Sequence, residues 1–352
     1  MPIWLWLFVW LGALVWGFFG APGRSDGPES GPGAGLERAA SHLADHPVGK
    51  GPAAGTADQQ ADSKSSQFLR IRRDEKNQPA ALETAIVRYV PMDCSQTSPT
   101  VDLVAAVHIG EKRYYQQLNQ EFQKYDAVLY ELVAPEGTRV PKGGVRPSAH
   151  PVSLMQKIFS DVLKLSYQLD EIDYTPKHFV HADMSPEQLA KSQKERGEAM
   201  WKMMLRVMGY SLAKQSTSDG PPPEMELLLA FFDRNRAVAL KRALALQFED
   251  MEGMTRAMDG PEGSSLIAGR NQAALEVLKR QLGAGKKKLA IFYGAAHMPD
   301  MEKRLKEDFG LVPIQTRWLA AWNLQSGPDT QGPSSTSTHK PTHQNASKLL
   351  QN

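Results

Sequence analysis

Two histidines stand in matching settings along this chain of 352 residues. His297 closes the stretch Phe292-Tyr293-Gly294-Ala295-Ala296-His297, and His108 closes Ala105-Ala106-Val107-His108. Each follows a continuous apolar run, 289–293 in one case and 101–107 in the other, and each leads into a segment with helical spacing. A third run, 127–133, is interrupted only by Glu131. A carboxylate near the end of a buried strand needs a partner, because an unpaired charge there is costly. That partner is an arginine in a structural ion pair or a metal, and the two histidines in like positions tip the reading toward metal. Two imidazoles and one carboxylate can hold a divalent ion while leaving a position open for water. A metal-bound water ionises near neutrality, and the ion polarises the carbonyl under attack, so hydrolysis would need no serine or cysteine nucleophile. Nitrogen and oxygen ligands of this kind accept Zn, Mn, Co or Fe without choosing among them.

These positions demand a sheet covered on both faces, since the runs are apolar rather than alternating. Gly294 permits a positive φ or a close backbone approach, Pro299 suits the start of a helix, and Asp300 and Glu302 fall in its first turn, where the dipole favours acids. His297 then lies at the carboxyl edge of the sheet, where open α/β folds hold ligands. The two strand, histidine and helix segments read as an internal duplication, each half giving one histidine. Further strands are expected at 84–90, at 179–182 and at 312–318; the second carries His181 and ends at Asp183, both secondary candidates for the site. Ser185, Pro186 and Gln188 form a helix start with a capping box. The expected fold class is α/β (α+β), a small, mostly buried central β-sheet wrapped by helices, with a helical insertion over about 187–282. Methionines of the insertion, among them Met203, Met204, Met208 and Met225, read first as core filling and second as an adaptable groove for a peptide.

The balance of 41 basic against 39 acidic side chains lacks the basic footprint of a nucleic-acid binder. A single cysteine, Cys94, excludes an internal disulfide and reads as a structural thiol. No G-x-S-x-G, H-E-x-x-H, Walker loop or G-x-G-x-x-G is present. Residues 3–19 are apolar and uncharged and carry Trp4, Trp6, Trp10 and Trp16, so 1–23 reads as a signal peptide or a membrane anchor, and either exports the domain. Residues 24–66 and 326–352 are too polar and too rich in small residues to order themselves, which leaves 67–325 as the folded domain.

The segments AAVHIG with its tyrosine-bearing helix, YDAVLYELVAP, HADMS, the RN-headed helix and FYGAAHMPDME together resemble the TraB/GumN family, which includes TIKI-type metalloproteases and pheromone-shutdown proteins. The resemblance implies a metal-dependent hydrolase scaffold related to erythromycin-esterase-like and ChaN-like proteins. It places His108, Glu131 and His297 as metal or catalytic residues and Arg270 and Asn271 as polar partners in the site. The chain departs from the family at Ala105, which holds the glycine position of the first G-x-x-H motif; an added methyl group penalises positive φ. The leading expectation is an exported, peptidase-like, metal-dependent hydrolase acting on a peptide or a small molecule. The alternatives are a ChaN-like iron or haem binder, with Tyr114 or Tyr115 as axial ligand, and a catalytically silent peptide-binding protein.

Overall fold

Strands that are apolar on both faces must be covered on both sides, and helices do so here. In the computed structural model, residues 67–325 are described apart from 94–97, 136, 139, 144–159, 198–199, 216–222, 249–252, 254, 256 and 258–262. Segments 1–66 and 326–352 and Cys94 lie outside the described residues. A seven-stranded mixed sheet is built from β1 (Leu69–Arg73), β2 (Pro79–Pro91), β3 (Thr100–Ala106), β5 (Ala127–Tyr130), β7 (Phe179–His181), β8 (Lys288–Gly294) and β9 (Leu311–Asn323). A separate ladder pairs β4 (Ile109–Gly110) with β6 (Ser166–Tyr167). β3, β8, β5 and β7 are parallel neighbours in that order. β2 runs antiparallel to its neighbours, with β1 and β3 sharing one of its edges and β9 following the other. The class is α/β, a central mixed sheet with helices around it.

The helices are α1 (Lys112–Phe122), α2 (Gln168–Glu171), α3 (Pro186–Glu195), α4 (Met200–Gln215), α5 (Pro223–Phe231), α6 (Arg236–Gln247), α7 (Arg270–Gly283) and α8 (Met298–Glu307). On one face of the sheet, Val104, Val128 and Phe292 pack with Tyr115, Leu118 and Phe122 of α1. On the other, Leu103, Leu129 and Ile291 pack with Ala274 and Leu278 of α7 and Met301 of α8. The α3 start has the expected capping box between Ser185 and Gln188. A π-helical turn, Ser265–Gly269, delivers the chain to Arg270. Of the methionines in the helical segment, Met203 is buried and Met225 is exposed. Among the described residues no helix is long and apolar enough to cross a membrane; the apolar run at 3–19 lies outside them.

The structure extends the sequence reading where polar residues mask a strand. β1 was not expected, because LRIRR lacks an apolar run; Arg70 and Arg72 instead reach across to the buried Glu83 of β2, at 2.9 and 2.8 Å. β2 and β9 each run for 13 residues, longer than the apolar patterns suggested, because they pair with each other from end to end. β5 stops at Tyr130, so Glu131 stands just beyond the strand. Ala105 lies inside β3 opposite Tyr293, in extended backbone where a methyl group carries no penalty.

Candidate functional site

The parallel register sets Ala106 beside Gly294, and Tyr130 beside both Phe292 and His181. His108, Glu131, Asp183 and the turn after Gly294 therefore leave the sheet from adjacent carboxyl ends. Glu131 joins them. Its Oε2 accepts the Gly294 N–H at 2.7 Å, its Oε1 accepts a hydrogen from Arg270 Nη2 at 2.7 Å, and Nε2 of His297 lies 3.5 Å from Oε1. Arg270 also grips Asp183, with Nε 2.9 Å from Oδ1 and Nη2 2.6 Å from Oδ2. The Asp183 side chain is wholly buried, and its Oδ1 takes a further bond from the Met184 N–H at 2.7 Å.

Gly294 is used for closeness rather than for unusual backbone, since its φ is −55°. A Cβ at this position would lie 3.4 Å from Glu131 Oε2 and 3.5 Å from His108 Nε2, so the glycine keeps open the space between two candidate groups. His108 is set by the helix beneath it: the Tyr115 hydroxyl donates to the Val107 carbonyl at 2.9 Å, and the Tyr114 hydroxyl donates to the Ala105 carbonyl at 3.3 Å. Both tyrosines are fully buried in the α1 packing, which commits their hydroxyls to holding the end of β3.

The tautomer of His297 follows from its neighbour. The Asn271 amide nitrogen donates to the His297 carbonyl at 3.0 Å and to Asp300 Oδ2 at 2.9 Å, which leaves Asn271 Oδ1 as the acceptor for His297 Nδ1–H at 2.7 Å. Nε2 therefore carries a lone pair, and that lone pair faces the Glu131 carboxylate. Burial lowers the His297 pKa to about 4, against the attraction of Glu131, so the ring is neutral near pH 7. For Glu131, burial pushes upward, but the Arg270 guanidinium outweighs it, helped by the Gly294 N–H, and holds the carboxyl well below its usual range. Arg270 stays charged, because Asp183 and Glu131 outweigh the burial that disfavours its cation. With His297 neutral, the Glu131, Asp183 and Arg270 group carries one net negative charge.

The structure thus gathers His108, Glu131, Asp183, Arg270, Asn271 and His297 at one edge. His181 is directed elsewhere: its Nε2 pairs with the Leu132 carbonyl at 2.6 Å and its ring packs edge-on to Tyr130. Asp183, a secondary candidate by sequence, is the principal partner of Arg270, and its position at the end of a short strand is the signal that marks it. Asp300 was read only as a dipole complement, yet it orients Asn271 and accepts from Arg304 Nε at 2.8 Å.

A divalent metal is the group that the sequence implies here. Among the described residues no three His, Cys, Asp or Glu side chains are spaced to share one ion, and both Glu131 oxygens are held by Arg270 and Gly294. The donor chemistry nonetheless fits a cation: an unprotonated imidazole nitrogen lies 3.5 Å from a carboxylate oxygen with no proton between them, in a group of two carboxylates and one guanidinium. Comparison of the chain with protein-family models, with curated proteins and with solved structures finds no match.

Proposed function

We propose that this chain is an exported, metal-dependent hydrolase of peptidase-like kind. The observation that carries the reading is the His297 lone pair, fixed by Asn271 and set against ionised Glu131 at the carboxyl edge. His108, His297 and Glu131 would hold the ion, although their side chains are not spaced to share one without it, so binding would have to draw them together; when bound the ion would supply an acidified water and polarise a carbonyl. The other roles belong to the chain itself. Asn271 keeps the proton of His297 on Nδ1 and leaves Nε2 available to donate its lone pair. Arg270 keeps Glu131 ionised and puts a desolvated positive charge beside the place where a carbonyl oxygen would become anionic, where such a charge counts for most. Glu131 suits holding and orienting better than proton removal, because a carboxyl with so low a pKa is a weak base. The resemblance to the TraB/GumN family supports the same reaction class, and the apolar N-terminal run supports export.

The test is elemental analysis and an absorption spectrum of the purified full chain, together with cleavage of a random-sequence decapeptide pool followed by mass spectrometry. Expected are bound transition metal, no haem band, and cleavage that a chelator stops and added metal restores. A haem spectrum, or no cleavage at any metal loading, would overturn the reading.

A further inference from the structure

Helix α5 carries apolar residues on two opposite faces, and the fold uses one of them. Leu227 and Ala230 are buried and join the core on the α1 side of the sheet, together with Ala243, Leu244 and Ala245 of α6. Met225, Leu228, Leu229 and Phe232 are spaced i, i+3, i+4 and i+7, which sets them on one stripe turned away from that core. The Phe232 N–H bonds the Leu229 carbonyl at 3.2 Å and so carries the helical spacing one residue past α5. All four are exposed, Leu229 to 64% and Phe232 to 78%, and the exposed Phe231 sets its ring edge-on to Phe232 at 5.6 Å. Apolar residues exposed singly are ordinary, but these adjoin one another, and a helix that is apolar all round belongs in an apolar medium. Beyond the rings come cations. Arg234 and Arg236, in the turn to α6 and at its start, are exposed, while Asp233 between the rings and the arginines commits its Oδ1 to the Asn235 N–H at 2.7 Å. The half-buried acid Glu226 stands six residues before Phe232, about 9 Å back along the axis.

We propose that the turn from α5 to α6 docks on a phospholipid bilayer, with Leu228, Leu229, Phe231 and Phe232 entering the boundary between headgroups and acyl chains and Arg234 and Arg236 bonding the lipid phosphates. An apolar stripe that ends in aromatic rings, with arginines just beyond, matches the layering of that boundary: rings lie at headgroup level and long cationic side chains reach outward to the phosphates. The same chain carries the uncharged apolar run 3–19, which reads as membrane-directed, so a bilayer is the surface its sequence already addresses. The inference extends the export reading above, by giving the folded domain a face toward the membrane, and takes nothing from the metal site.

The experiment places an environment-sensitive fluorophore on single cysteines of the full chain in a Cys94→Ser background. Phe232→Cys reports on the turn, and Lys279→Cys reports on the exposed side of α7, which packs on the other face of the sheet. Each is mixed with phosphatidylcholine–phosphatidylglycerol vesicles whose acyl chains are brominated or plain, so that a label inside the apolar boundary is quenched. The label at 232 should shift to the blue and be quenched, while the label at 279 stays in water. Arg234→Gln combined with Arg236→Gln should lower the ratio of docked to undocked turn by about tenfold or more. Should Phe232→Cys fail to fold, Leu229→Cys takes its place. An unchanged emission at 232 with vesicles, equal quenching at 232 and 279, or docking undiminished without the arginines would each overturn the proposal. So would a blue shift that needs no lipid and grows with protein concentration, which would assign the face to a second copy of the chain. Metal content and peptide cleavage are measured on the same proteins, so failure of the hydrolase reading and failure of this one are told apart.

Discussion

Arg270 holds two carboxylates with one guanidinium, and the geometry makes them unequal. Asp183 receives two bonds and has no exposed surface, whereas Glu131 receives one and has His297 Nε2 3.5 Å from its Oε1. Asp183→Asn should therefore behave as a broken buried ion pair and cost about 3–5 kcal/mol, read by chemical denaturation. Glu131→Gln leaves Arg270 paired with Asp183 and should cost about 1–3 kcal/mol while abolishing hydrolysis. Equal destabilisation of the two variants would mean that Glu131 is no more than half of a structural pair. From the sequence, arginine pair and metal ligand were competing accounts of Glu131. The arginine pair is present through Oε1, and Oε2 accepts the Gly294 N–H, so a metal at Glu131 would have to share an oxygen with one of these donors or displace it.

At the scale of the elements, the apolar runs told most of the story, because strands buried on both faces leave a pattern that needs no partner to be recognised. β3, β5 and β8 were legible for that reason. β1 and the far halves of β2 and β9 were not, since their polar residues are satisfied only across strands, as Arg70 and Arg72 are by Glu83. The elbow at Gly294 allows a direct test. Its φ of −55° suits any residue, so Gly294→Ala should fold with little change in melting temperature. The new methyl group would sit 3.4 Å from Glu131 Oε2 and 3.5 Å from His108 Nε2, in the space between them, so hydrolysis should fall by about tenfold or more. Loss of folding with no separate loss of activity per folded molecule would contradict this. The contact between α1 and β9 offers a pH test away from the site. Burial raises the Glu121 pKa, but bonds from Arg317 and Lys124 outweigh it and leave the carboxyl below the ordinary glutamate range. A lowered folded value means stabilisation that is complete above the unfolded value and is lost as pH falls through the folded one. The melting-temperature advantage of wild type over Glu121→Gln should accordingly be full at pH 7 and vanish in strong acid; an advantage that grew below pH 4.5 would show the sign to be wrong.

For the molecule as a whole, the candidate site is a long-range object, and that limits what a sequence can disclose. Arg270 meets Asp183 across 87 positions and Glu131 across 139, so the residues could be named from motifs while their pairings came only with the fold. The same long-range assembly makes a bound ion a property of the folded state. His108, Glu131 and His297 come from three separate strand ends, and the unfolded chain would not hold them together. A divalent metal should then raise the stability of the full chain by linkage, about 2.7 kcal/mol at a free concentration one hundred times the dissociation constant. Melting curves with chelator and with added Zn or Mn measure the effect. Wild type should show the rise, and His108→Ala, His297→Ala and Glu131→Gln should each lose most of it. Asn271→Ala should retain part of it, because that change frees the His297 tautomer without removing a donor. A metal-induced rise that survives in all three donor variants would place the ion elsewhere in the protein, and no rise in wild type would overturn the metal reading and leave Glu131 and Asp183 as ion-pair partners of Arg270.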